Sequence, residues 1–118
     1  MPVVADIVKI DAPSSAPADQ QIIVDVSVKN ISTSDQYIAV TAAFYSTSIP
    51  FQFDYLLVAP GQTVVMRGWF TMPGRSVQVK VYSSYWTGSE WAQDDEATVD
   101  ISLAGPFSEL AAAGFQRG

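Results

Sequence analysis

Apolar positions along this chain recur with a period of two, in short runs broken by turn residues. The clearest run spans residues 21–30, where Ile22, Val24, Val26 and Val28 alternate with Ile23, Asp25, Ser27 and Lys29. Successive side chains of an extended strand point to opposite faces, so this pattern predicts a strand buried on one side. Residues 36–46 repeat it with Ile38, Val40, Ala42 and Phe44 inward, and residues 62–71 with Val64, Met66 and Phe70 on one face. Residues 77–86 place Val77, Val79 and Val81 inward. Residues 91–103 place Ala97, Val99, Ile101 and Leu103 inward, with Glu96, Thr98, Asp100 and Ser102 outward. Residues 3–10 form the opening strand. Residues 51–58 are read as one more, although they are apolar on both faces.

The breaks are as informative as the runs. Pro60-Gly61 and Pro73-Gly74 supply the two central positions of type II turns. Residues 11–20, with Pro13 and Pro17, form a loop; residues 30–35 form a polar turn, and residues 47–50 turn the chain again. Strands at this spacing predict an all-β fold, an immunoglobulin-like antiparallel β-sandwich of about seven strands. Val24, Val26, Val28, Ile38, Val40, Phe44, Val64, Met66, Val79, Val81, Val99 and Ile101 are its expected shared core. The sandwich occupies residues 1–104. Residues 105–118 change character, with alanines, Leu110 and Gly114 suiting a short helix or tail.

Composition then narrows the function. The chain of 118 residues has 48% hydrophobic residues, no cysteine and no histidine. Disulfides, thiolate metal sites and thiol chemistry are excluded, as are hydrolase constellations built on histidine. No enzyme, cofactor or metal is expected. The net charge is −6, and the basic residues Lys9, Lys29, Arg67, Arg75, Lys80 and Arg117 are scattered. A nucleic-acid surface needs them clustered, so no nucleic-acid partner is expected. No apolar run reaches the roughly 18 to 20 residues of a membrane span. Met1-Pro2-Val3 leads into the first strand without a basic or apolar leader, which favours a cytoplasmic or virion setting over secretion without assigning either.

Several residues carry candidate chemistry. Trp86-Thr-Gly-Ser-Glu-Trp91 places two tryptophans across a hairpin mouth, with Tyr85 beside them. Such rings stack on sugars or anchor a protein interface; equally, a cross-strand pair staples its own hairpin. Gln93-Asp94-Asp95-Glu96 offers carboxylates to calcium, but neighbours on a strand point to opposite faces. Solvated charge that keeps an edge from aggregating is the preferred reading. Phe51, Phe53, Tyr55, Leu56 and Leu57 are either core or an exposed docking edge. Asn30-Ile31-Ser32 matches a glycosylation acceptor, which matters only on a secretory route. In the tail, Phe107 and Phe115 are candidate anchors for a neighbouring subunit, because a lone tail recovers too little from two rings to offset its ordering entropy.

Ala5-Asp-Ile-Val-Lys-Ile10, Val26-Ser-Val-Lys-Asn30, Val58-Ala-Pro-Gly-Gln-Thr-Val64 and Val77-Gln-Val-Lys-Val81 follow one another in an order that resembles the CARDB and NEW3 type of immunoglobulin-like sandwich. The resemblance covers residues 3–103. It implies a seven-stranded module for attachment or spacing, without chemistry of its own. Such modules usually sit inside long multidomain chains; a solitary one also resembles small virion accessory proteins, such as decoration or fibre components. The expected function is therefore a structural or protein–protein interaction module. Its partners would be copies of itself or a larger assembly such as a virion. The alternative is a carbohydrate-binding module using Tyr85, Trp86 and Trp91.

The period-two core makes a direct prediction. Val26→Asp or Val81→Asp buries an unpaired charge and is expected to cost several kcal/mol, on the order of 3 or more. Thermal denaturation of either variant checks it, and wild-type melting would show that the registers are wrong.

Overall fold

The computed structural model describes residues 1–104, and every regular element in them is a strand. In chain order these are β1 (Ala5–Asp11), β2 (Ser15–Ala16), β3 (Gln21–Asn30), β4 (Gln36–Phe44), β5 (Thr47–Ser48), β6 (Leu56–Val58), β7 (Thr63–Thr71), β8 (Val77–Trp86) and β9 (Trp91–Leu103). They form an antiparallel sandwich of the expected class. One sheet has the order β1-β3-β7; the other runs β2-β9-β8-β4-β5, with β6 also paired to β4. The period-two runs explain the assignment, since each presents one apolar face to the opposite sheet. Ile22, Val24, Val26, Val28, Ile38, Met66, Val79, Val81 and Ile101 are almost wholly buried. Val64 and Val99, expected in the same core, point inward but are only partly covered at its margin.

Residues 51–58 depart from expectation. Only Leu56–Val58 is a strand; the preceding segment crosses from one sheet to the other. Its apolar character on both faces reflects that crossing. Phe51 bridges to Gly68 of β7, the Gln52 N–H donates to the Arg67 carbonyl at 2.9 Å, and the Trp69 N–H donates to Pro50 at 3.2 Å. The segment thereby covers the outer edge of β7. Gly68 permits this approach, since a Cβ there would lie 2.9 Å from the Phe51 ring.

The loops differ in detail as well. Within residues 11–20, β2 joins β9 in parallel, pairing Ser15 with Ser102 and Ala16 with Leu103. The turn expected at residues 47–50 lies earlier, at Tyr45–Ser46, and Tyr45 takes a φ of 53°. That conformation costs a non-glycine residue about 1 to 2 kcal/mol. The Tyr45 hydroxyl donates to the Ser76 carbonyl at 2.6 Å and the Arg75 guanidinium lies 3.8 Å from its ring centroid, which offsets the strain. Gly61 has φ 78° and the Gln62 N–H donates to Ala59 at 3.0 Å, as a type II turn requires. Gly74 is not left-handed, so Pro73-Gly74 is a turn of another kind.

On the outer face of the three-stranded sheet, Arg67 and Asp25 sit directly opposite and pair through two hydrogen bonds of 2.9 Å. The Arg67 hydrogen bond holds the Asp25 carboxyl below its usual range. A depressed carboxylate stabilises the fold above its unfolded pKa, and the gain is lost as pH falls through the folded value. For a pair this exposed, solvent screening leaves the gain small.

Asn30 joins the end of β3 to two loops. It is fully buried, and its amide donates to the carbonyls of Val58 at 2.8 Å and Ser34 at 2.9 Å. Its Oδ1 accepts from the Ser32 N–H at 2.9 Å and the Ser32 hydroxyl at 2.7 Å. Its main chain bonds Gln62 and Gly61. The apparent glycosylation acceptor is thus an internal tie, and its side-chain nitrogen is inaccessible in the folded chain. Asn30→Ala removes the donor to the buried Val58 carbonyl and the acceptor of the Ser32 N–H, and is expected to cost about 2 to 4 kcal/mol in urea denaturation.

Candidate functional site

The site is set by one extra residue in β9. Ser83 of β8 pairs with Asp95, and Ser84 pairs with Gln93, so Asp94 is a bulge with no partner across the ladder. A bulge reverses the facing of every residue beyond it. Counting back from the inward Ala97, Val99 and Ile101, Trp91 would point into the core. The bulge sends it outward instead, to pair with Trp86.

The same bulge turns Asp94 and Asp95 toward the first strand of the opposite sheet. Asp94 accepts the N–H groups of Val3, Val4 and Ala5 at 2.9, 2.8 and 2.6 Å. Asp95 accepts the Ile7 N–H at 2.8 Å. Ser83 is fully buried; its hydroxyl donates to the Ala5 carbonyl at 2.6 Å and accepts the Asp95 N–H at 3.0 Å. The expectation that this acidic run is solvated edge charge is corrected for both aspartates. Their oxygens close the free edge of β1, and only Glu96 behaves as expected. The signal lay in the strand phases: Asp95 and Ser83 both fall on inward positions, where a lone polar group needs a partner.

Beyond the bulge, the outer face of the larger sheet carries a row of apolar side chains. Leu57 of β6 lies opposite Tyr37 of β4, and Trp86 of β8 opposite Trp91 of β9. The β4–β8 register, which matches Ile38 with Tyr85, puts Tyr37 beside Trp86. Tyr55, from the crossing segment, leans over the row. Its ring meets Tyr37 edge-on, with centroids 5.6 Å apart and planes at 88°, and meets Trp91 at 5.9 Å and 47°. Trp86 and Trp91 meet at 5.5 Å and 63°. The tryptophans therefore do staple their hairpin, which Gly88 closes at φ 106°. Yet they stay 37% and 43% exposed, Tyr37 and Tyr55 45% and 52%, and Leu57 55%. Tyr37, Tyr55, Trp86 and Trp91 line a cleft of about 380 Å³.

The structure divides the residues singled out from the sequence. Trp86 and Trp91 come together. Tyr85, one position before Trp86, faces the other way and packs against the core. Tyr37 and Tyr55 replace it, and neither was singled out as part of the tryptophan cluster. Tyr37 was legible as an outward aromatic in a strand whose inward set is Ile38, Val40, Ala42 and Phe44; Tyr55 depends on where the crossing segment runs. Of residues 51–57, Phe53, Tyr55 and Leu57 are exposed, while Phe51 and Leu56 are partly covered. Phe107 and Phe115 lie outside the described residues.

No protein-family model matches the chain, and no curated protein matches it. Solved structures do. A CARDB domain from Pyrococcus furiosus, solved in complex with di-metal ions, is 15% identical, with a TM-score of 0.61 over 85% of this chain and 94% of that one. The part of Escherichia coli alpha-2-macroglobulin from its MG7 domain to the C-terminus is 14% identical, with a TM-score of 0.61 over 87% of this chain. This chain spans 17% of that protein segment. The CARDB-like, immunoglobulin-like resemblance read from the strand order holds at the level of fold; the virion resemblance gains nothing from these likenesses.

The clamp yields a test. Asp94→Ala leaves the N–H groups of Val4 and Ala5 without a partner in a covered edge, while water replaces the carboxylate at exposed Val3. The expected cost is about 2 to 4 kcal/mol. Amide exchange at Val4 and Ala5 should accelerate, whereas Glu96→Ala, on the solvent side, should stay within about 0.5 kcal/mol of wild type.

Proposed function

We propose that this chain is a non-catalytic interaction module and that the row Leu57, Tyr37, Trp86 and Trp91, capped by Tyr55, is its contact surface for a partner protein. The observation that carries this is contiguity: five large apolar side chains stand exposed side by side on one sheet face. Single exposed apolar residues are ordinary, but a continuous patch is characteristic of a docking site. Tyrosine and tryptophan are also the side chains that most often dominate interface energetics.

A carbohydrate site is the competing reading. Its support is the exposure of the two tryptophans. Against it, the ring planes turn through 47° to 88° rather than forming a flat platform, and among the described residues no carboxylate or amide side chain lines the cleft to receive sugar hydroxyls. Assembly into a larger particle rests on fold analogy alone. The metal ions of the Pyrococcus furiosus domain are not carried over. Among the described residues no three acidic side chains come together, and Asp94 and Asp95 face N–H donors, which repel a cation.

Leu57→Lys places a charge in the patch without touching the core. Partners captured by the wild-type protein, including copies of itself detected by light scattering, should be lost at least about tenfold in this variant. Val65→Lys, at an exposed position on the other sheet, should retain them. A monomer whose tryptophan fluorescence shifts with polysaccharide, and which captures no protein, would replace this reading with the carbohydrate one.

A further inference from the structure

The cleft has the geometry of a cage rather than a platform. Tyr37, Tyr55, Trp91 and Trp86 follow one another around it, with neighbouring centroids 5.5 to 5.9 Å apart and planes inclined at 47° to 88°. Four rings so inclined line one cleft, so a group bound there lies within reach of more than one of them. Each ring face carries the negative lobe of its quadrupole, and a cation within roughly 6 Å of a ring centroid is attracted to it. At these spacings one small group can satisfy that distance to several rings at once.

Charge agrees. Among the described residues, no Lys or Arg lines the cleft. The chain carries a net charge of −6. The field of the chain as a whole therefore favours a cation over an anion.

The lining also selects among cations. A lysine ammonium brings three N–H donors that lose water on entry and need acceptors in return. Among the described residues, the lining side chains offer rings and the two tyrosine hydroxyls, with no carboxylate. A quaternary ammonium has no N–H donor to satisfy and a charge spread over its methyl groups, so its desolvation on entry is lightest.

We propose that this cleft is a binding site for a quaternary ammonium group. The proposal rests on the aromatic face being the contact surface, and its natural form on a partner protein is a trimethylated lysine side chain. The test is a fluorescence titration of the whole chain with choline and with 3,3-dimethyl-1-butanol, which has the same shape without the charge. Choline should quench saturably and bind at least about tenfold more tightly than the neutral isostere. Trp91→Leu keeps apolar volume but removes a ring face, and Tyr55→Ala alters only an exposed segment. Both should erase the preference for choline, while circular dichroism confirms that they remain folded.

A peptide carrying trimethyl-lysine, compared with the same peptide carrying lysine, separates the sources. Preference for the trimethylated peptide assigns a protein partner. Choline binding without that preference assigns a small molecule or head group, and still supports the site. Equal binding of choline and its isostere would overturn the cation site while leaving an apolar docking face intact. No saturable change with either compound would also overturn it. Loss of the docking face itself is read separately, from the Leu57→Lys variant.

Discussion

One unpaired residue, Asp94, sets the relation between the two sheets at their shared edge and the composition of the aromatic face. A strand has only two faces, so inserting one residue exchanges the facing of everything beyond it. Without the bulge, Trp91 would compete for core space and the outer face would lose a wall of its cleft. With it, two adjacent aspartates reach the same neighbouring strand, which regular strand geometry forbids. A single backbone irregularity thus gives β1 its fastening and Trp86 its partner.

The fastening solves a general problem of sandwiches. An edge strand presents N–H groups that no ladder satisfies, and the usual remedies are exposed charge or a covering loop. Here side-chain carboxylates from the opposite sheet accept those N–H groups, and the Ser83 hydroxyl completes the junction by serving one strand as donor and the other as acceptor. Beside it, where Ala5 pairs with Asn30, the fold uses a different device, the buried Asn30 amide, which ties the end of β3 to the loop after it and to the end of β6. Both junctions are fully paired polar groups in covered positions. Such groups add modest net stability but penalise misregister heavily, because any shift leaves them unsatisfied.

The aromatic face lies close to both ties. Tyr37 is the second residue of β4, just after the Asn30 loop, Leu57 precedes the Val58 carbonyl that Asn30 holds, and Trp91 opens the strand that the bulge redirects. Its side chains project from paired strands, apart from Tyr55, so their positions are set by ladder registers rather than by loop conformation. That favours a surface formed before its partner arrives, with less ordering entropy to overcome on binding. The absence of histidine and cysteine from the chain leaves such recognition to shape, ring faces and charge.

The sequence by itself determined the fold class and most strand faces. Residues 24–28 and 77–81 show why: their apolar side chains alternate without interruption, and burial on one face leaves only one consistent phase. It also determined the hairpin that joins Trp86 to Trp91. Tertiary structure decided the rest. Residues 51–55 carry no period because they run between sheets, so neither the Phe51 contact with Gly68 nor the placement of Tyr55 was legible locally. Sequence adjacency puts Tyr85 next to Trp86, but alternation along the strand turns it to the other face, against the core. The bulge left a trace in the polar residues Ser83 and Asp95 on inward positions, but its location depends on hydrogen bonds to a strand about 90 residues away in the chain. Local pattern specifies which way a side chain points while the ladder is regular. Where the ladder breaks, only the partner strand supplies the groups that fix the break.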